Sequence, residues 1–258
     1  DLHKAIRRQR QMCIRDRIQA YNCELYAIAG RSIDKAEQFK EKFGFEKAYG
    51  SYKELLDDPE VEAVYIALPN TLHYEWAVKA MKNGKHVLCE KPLAPCEKQV
   101  KELFETAKEN HVYLMEAFAY QHSPYITAIK KEIEDGTIGE VCYIDSAFIT
   151  SDYNKENIRM RRETLGGCTY DLGVYNTSLT LGLLNEEPEK VEASAIFSEE
   201  KIDKLTSVVM EFADGKKAAF TCGMTLATDQ DRRLDRLEID GTKGSLSLIH
   251  ISEPTRPL

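Results

Sequence analysis

Between residues 24 and 116 the chain alternates short apolar runs with amphipathic stretches, and few architectures accept that alternation. The runs at 24–29, 61–68, 87–90 and 112–115 are nearly continuous in Val, Ile, Leu, Ala, Tyr and Cys. Runs of that length, apolar at successive positions, suit strands buried on both faces of a parallel sheet. The stretches between them carry helical spacing. Residues 34–43 place Ala36, Phe39 and Phe43 on one stripe, and Gly44 follows as a left-handed helix end. Residues 52–56 suggest a short helix. A longer one is predicted from Thr71, capped by Asn70 or Thr71, with Trp76, Ala77, Ala80 and Met81 facing the core. Residues 97–110 align Val100, Leu103, Phe104 and Ala107. Strand and helix in turn at short connections predict βαβ units: a doubly wound α/β domain with a parallel sheet.

After Pro124 the pattern changes. A helix over 125–134, ended by Gly136, precedes a strand at 141–148, a polar loop through Asn157, and a helix opening at Gly166-Gly167 and running to about Leu184. Strands follow near 191–197, 205–212, 217–222 and 236–239, with Asp214-Gly215 as a hairpin turn. This predicts an α+β domain with a mostly antiparallel sheet. The expected boundaries are 18–123 for the first domain and 124–245 for the second, and 258 residues suffice for two cores.

The two ends read as foreign. Residues 7–17 can be coded by a transposon-type sequencing adapter, and residues 246–251 by the reverse complement of its shared part in another frame. Residues 1–17 and 246–258 are therefore expected to be translated adapter, leaving a gene fragment cut at both ends and itself inactive. Those ends hold the one basic cluster. The whole chain carries −8, which argues against nucleic acid, whose phosphates need grouped Lys and Arg. No apolar run approaches the roughly 20 residues that span a bilayer. Seven cysteines without a CxxC point to free thiols and a cytoplasmic setting, and no His, Cys, Asp or Glu cluster has metal-ligand spacing.

Two stretches carry chemistry. At Glu90-Lys91-Pro92 an apolar run breaks at a charged pair before a proline that cannot continue a ladder. A lysine there stands beyond the carboxyl end of a strand, where open α/β sheets bind ligands, although the same tripeptide also makes ordinary surface turns. In Gly166-Gly167-Cys168-Thr169-Tyr170-Asp171-Leu172-Gly173-Val174-Tyr175, Asp171 and Tyr175 are four apart on the expected helix and should leave one face. The glycines before them admit close approach of backbone or cofactor. Carboxylate, phenol and ammonium make a workable proton-transfer group; a lone Asp/Tyr pair is equally a helix-surface arrangement.

Across residues 18–245 the chain resembles the Gfo/Idh/MocA family of nicotinamide-dependent oxidoreductases. The resemblance runs through Ala29-Gly30-Arg31-Ser32, Ala67-Leu68-Pro69-Asn70-Thr71-Leu72-His73, Glu90-Lys91-Pro92, Met115-Glu116-Ala117, the Gly166–Tyr175 stretch and Gly241-Thr242-Lys243-Gly244-Ser245. It implies a Rossmann domain whose first strand and glycine-rich phosphate loop are missing here, since no glycine precedes Gly30. It also implies that Lys91 lies near the nicotinamide and the substrate hydroxyl, and that Asp171 belongs to the helix motif. Tyrosine at 175 is similar to the branch containing dimeric dihydrodiol dehydrogenase and NADP-dependent xylose dehydrogenase.

Tyr175 is then expected to be the general acid/base, with Lys91 holding the oxygen and stabilising the phenolate; the reverse order is also chemically open. Leu68, Pro69, Asn70, His73, Glu90 and Lys91 would line the cofactor crevice, although His73 read alone is a helix-start residue. Arg31 and Ser32 stand where an acidic residue would bind the ribose of NAD. Arginine instead suits the 2′-phosphate of NADP, so NADP is favoured and NAD remains possible; an ordinary exposed arginine is the plain alternative. Arg159 and Tyr120 are candidates for substrate contact. Tyr120-Gln121-His122-Ser123-Pro124 departs from the family's frequent Tyr-Arg-Phe-His-Pro. The expected activity is hydride transfer between a nicotinamide and a sugar, polyol or cyclic trans-diol, in a parent that is a homodimer; the alternative is a non-catalytic nucleotide-binding sensor.

Overall fold

The computed structural model describes residues 23–226 and 233–249, so most of the two ends read as foreign lies outside the described residues. The chain divides between Ala117 and Phe118 into two units. The division falls ahead of the 123/124 boundary read from sequence because Phe118 and Tyr120 pack among aromatic rings of the second unit.

In the first unit the order is β1 (Ala27–Ala29), α1 (Ile33–Phe43), β2 (Lys47–Tyr49), α2 (Tyr52–Asp57), β3 (Ala63–Ile66), α3 (His73–Lys82), β4 (His86–Glu90), α4 (Glu97–Glu109) and β5 (Leu114–Ala117). Every pairing is parallel: β1 with β2, and β3-β4-β5 in a second ladder. Gly44 ends α1 at φ 76°, a conformation that glycine adopts without Cβ strain. Ala77, Ala80 and Met81 of α3 and Leu103 and Ala107 of α4 pack with Val64, Ile66, Val87 and Cys89 of the strands.

One expectation needs correction here, and two features were not foreseen. Residues 70–72 form a 3-10 turn before α3, and neither Asn70 nor Thr71 caps the helix by its side chain. Phe104 is 53% exposed, because α4 turns only its Leu103 and Ala107 edge to the sheet. Strand β2 was absent from the sequence reading.

The second unit begins with a 3-10 turn at Ala119–His122 and α5 (Pro124–Glu134), whose first turn is capped by Ser123. Strand β6 (Val141–Ser151) is followed by irregular chain, a π-helical turn at Thr169–Gly173 and α6 (Val174–Leu184). Strands β7 (Lys190–Phe197), β8 (Asp203–Glu211), β9 (Lys217–Leu226), β10 (Arg233–Gly241) and β11 (Ser245–Ile249) complete a six-stranded sheet in the order β11-β10-β6-β9-β8-β7. Only the β6–β9 pair is parallel. Residues 246–249, read as foreign, pair with β10. Asp214 and Gly215 both take positive φ at the β8–β9 turn, as a tight hairpin requires. One face of the sheet is buried: Ile144, Val208, Met210, Phe220, Met224, Leu237 and Ile239 pack with Ile126, Ile129, Leu172 and Leu179.

Candidate functional site

In the first unit the chemistry gathers at the carboxyl ends of β3, β4 and β5. A parallel sheet sends all three strands out on one side, so the residues after Ile66, Glu90 and Ala117 emerge together. Lys91 is 6% exposed and follows β4 directly, joined to Pro92 by a cis peptide. Burying an ammonium is costly unless opposite charge lies near, and carboxylates flank it. Glu90 accepts a hydrogen bond from the Tyr65 hydroxyl, while Glu116 accepts one from the Leu93 amide at 2.8 Å. Burial holds the Glu116 carboxyl above the ordinary value and the Glu90 charge adds to this; the Leu93 amide and the Lys91 charge oppose it.

His73 is fully buried, with Nδ1 2.8 Å from the Pro92 carbonyl and Nε2 2.8 Å from the Leu68 carbonyl. Burial lowers its pKa; the two carbonyls and Glu90 oppose that, and the Lys91 charge adds to the lowering. Its ring shapes the crevice from behind, whereas Leu68, Pro69 and Asn70 are half-buried at its edge. Arg31 is exposed and Ser32 half-buried between β1 and α1, and the Ser32 hydroxyl makes no capping bond.

In the second unit Thr169–Gly173 wind as a π turn ahead of α6, and Asp171 and Tyr175, four apart, both act on the Arg159 guanidinium. Gly167 sits at φ 118°, and a Cβ there would meet Asp203 Oδ1 at 1.9 Å. A Cβ on Gly166 would meet the Arg159 carbonyl oxygen at 2.4 Å. The glycines thus admit Arg159 and Asp203 of this chain: the Gly167 amide donates to the Arg159 carbonyl, and the Thr169 amide to Asp203 Oδ2 at 2.7 Å. Held in this way, the segment winds as a wider turn before α6. The Asp171 carboxylate accepts from Arg159 Nε at 2.5 Å, both side chains being largely buried. Asp171 first, and also Tyr153 and Tyr175, hold the Arg159 guanidinium in its charged form.

The Tyr175 ring lies in an aromatic nest, its centroid 5.4 Å from Phe118, 6.0 Å from Tyr120 and 5.6 Å from Phe148. The Tyr120 hydroxyl donates to Ser178 Oγ at 2.8 Å, one turn along α6. A cavity of about 30 Å³, room for a water, lies between Tyr120, Tyr175, Phe148 and Asn176.

The structure therefore gathers Leu68, Pro69, Asn70, His73, Glu90 and Lys91 at the strand ends of one unit, with Arg31 and Ser32 at the start of α1. It gathers Arg159, Asp171, Tyr175 and Tyr120 around the start of α6 in the other. Sequence reasoning missed Tyr65, Glu116 and Asp203. Glu116 had a signal, since it ends an apolar run as Glu90 does. Asp203 had none, standing 34 residues from the amide it receives. Among the described residues no group of His, Cys, Asp and Glu could hold a metal ion, and no helix is long and apolar enough to cross a membrane.

Comparison with known proteins adds the following. Residues 4–118 match the model of an oxidoreductase family with an NAD-binding Rossmann fold, and residues 126–247 match the GFO/IDH/MocA C-terminal domain. An uncharacterized oxidoreductase of Rhizobium meliloti is 37% identical over 92% of this chain and 70% of its own length. A trans-1,2-dihydrobenzene-1,2-diol dehydrogenase of Xenopus tropicalis is 33% identical over 90% of this chain and 68% of its own. Among solved structures, a mutant of KijD10, a 3-ketoreductase from Actinomadura kijaniata in complex with TDP-benzene and NADP, aligns at TM-score 0.85 and 30% identity over 94% of this chain and 73% of that one.

Proposed function

The chain belongs to the Gfo/Idh/MocA family of oxidoreductases, and from that premise we propose that it is an NADP-preferring dehydrogenase or reductase acting on a sugar, polyol or cyclic trans-diol. The observation that carries the reading is the buried Lys91 at the end of a parallel strand, between carboxylates, in a chain whose α6 start presents a phenol and an Asp–Arg pair. A protein that only sensed nucleotide would have no use for that proton-handling set. Arg31 supports NADP over NAD because an exposed guanidinium, with no carboxylate in its place, meets a 2′-phosphate. The relatives named above, a diol dehydrogenase and a ketoreductase solved with NADP, support the substrate and cofactor classes.

In this reading the bound dinucleotide supplies or accepts the hydride at the carbinol carbon. Lys91 holds the substrate oxygen by its ammonium. Tyr175 exchanges the hydroxyl proton, and its aromatic nest fixes the ring so that little orientation is lost on reaction. Arg159, tied to Asp171, keeps positive charge on the side where a phenolate forms. Six cysteines of the described residues are free, which supports a reducing, cytoplasmic setting. The unburied face of the six-stranded sheet, with Val209 and Leu234 exposed, is our assignment for a homodimer contact.

The test is titration of NADPH and NADH in parallel into the full-length parent protein, followed by fluorescence, then a screen of sugars and diols with the preferred nucleotide. Tighter NADPH binding and turnover of a member of either class is the expected outcome. Binding of neither nucleotide would overturn the reading.

A further inference from the structure

The β3–β4 ladder stops at the Ile66–Cys89 pair, and Pro92 has no N–H with which to extend it. Beyond that point the Leu68 and Pro92 carbonyls both face one imidazole. His73 is 0% exposed and reaches both at 2.8 Å, one from each ring nitrogen. Filling the volume alone would take a leucine or phenylalanine. What the imidazole adds is a single N–H donor where backbone pairing has given out: the neutral ring that burial favours carries its hydrogen on one nitrogen and donates to one of the two carbonyls, and a buried carbonyl lacking a donor is costly.

We infer that His73 is a positioning residue: a clasp whose Nδ1–H donates to the Pro92 carbonyl, ties the start of α3 to the Lys91–Leu93 loop and so fixes where the Lys91 ammonium stands. The inference rests on the functional reading above for what Lys91 does, but not for where it sits. It removes His73 from the residues that touch cofactor, since a ring that is 0% exposed offers a ligand nothing. The spacing explains the placement. As the first residue of α3, His73 is rigid, and its side chain leans back toward the turn that precedes the helix. A further residue of one loop, the Leu93 amide on Glu116, pins the same segment from β5, so the lysine loop is held from both neighbouring strands.

The experiment is acetylation of lysines by a succinimidyl ester on the 258-residue chain, without nucleotide, read by peptide mass spectrometry. Lys91 is compared with Lys85, an equally buried lysine at the opposite end of β4, bonded to the Asp58 carbonyl at 2.7 Å. In His73→Phe the rate at Lys91 should rise about tenfold while Lys85 stays as in the wild type. His73→Asn, whose amide nitrogen overlays Nδ1 and keeps the Pro92 contact, should leave Lys91 within about threefold of wild type. His73→Gln, which keeps only the Leu68 side, should resemble Phe, and the Asn/Gln pair decides the matter if the Phe variant does not fold. A parallel rise at Lys85 and Lys91 would mean general loosening and would overturn the clasp, as would no rise at either. With nucleotide and substrate, kcat should fall about tenfold or more in His73→Phe and recover in His73→Asn, since small displacements of a reacting group are that costly. Failure of the wild type to bind nucleotide would sink the functional reading, while the labelling rates would still decide the clasp.

Discussion

The two units place their chemical groups by different means. In the first, strand direction does most of the work: three parallel strands end on one side, and Glu90, Lys91 and Glu116 arrive there as the next residues in line. In the second, only Tyr175 rides on a regular helix, α6, while Arg159 and Asp171 stand on irregular chain before it. Asp171 sits in a π turn held by a glycine pair, by the Arg159 carbonyl and by a carboxylate from β8. The lesson is that a site built on strand ends tolerates local change, whereas one built on irregular chain depends on contacts distant in sequence.

Glycine substitutions should separate the two most sharply. Gly167→Ala drives a Cβ into Asp203 at a φ that disfavours side chains, and should cost roughly 3 kcal/mol or prevent folding. Gly44→Ala, also at positive φ but with nothing within 4 Å, should cost only about 1 kcal/mol. Urea unfolding of both variants checks this, and equal losses would break the comparison.

Arg159→Met is next in size. It withdraws the guanidinium from a largely buried carboxylate, at a cost of about 2–3 kcal/mol, and it should lower kcat through misplacement of Asp171. The corresponding loss in the first unit depends on pH. Asp58 accepts from Tyr26, Lys47, Tyr49 and the Glu60 amide, and these donors, Tyr49 first, hold its carboxyl well below the ordinary range. A folded-state pKa below the unfolded one stabilises above the unfolded value and is lost as pH falls, here beginning below about pH 4. The urea midpoint should therefore drop between pH 5 and pH 3, and Asp58→Asn should flatten that drop. The smallest effect is expected for Tyr120→Phe, which removes one hydrogen bond to Ser178 and should cost about 1 kcal/mol. A larger loss would mean that the aromatic nest depends on that hydroxyl.

The same contrast governs what could be read from the sequence. The strands around Lys91 were legible because burial on both faces forces apolar residues at successive positions, and the helices because Ala77, Ala80 and Met81 recur at helical spacing. Strand β2 escaped because three residues, Lys47-Ala48-Tyr49, are too few to show a period. Phe104, aligned with the buried Leu103 and Ala107, is exposed because α4 buries a narrower stripe than its apolar residues mark. In the second unit Gly166-Gly167 announced a close approach but not its partner. The π turn was invisible because what holds it, Asp203 on the Thr169 amide, comes from another strand. The family was nevertheless evident from motif order, since each motif lies where the fold places a strand end or a helix start.

The most direct test of the central claim is turnover of Tyr175→Phe against Lys91→Met in the full-length parent protein, with NADP and a substrate from the screen. Loss of two to four orders of magnitude in kcat on removal of the Tyr175 hydroxyl, with nucleotide affinity kept, is the predicted result for a general acid/base. Near-normal turnover by Tyr175→Phe, with activity abolished in Lys91→Met, would contradict it and give the proton to the lysine.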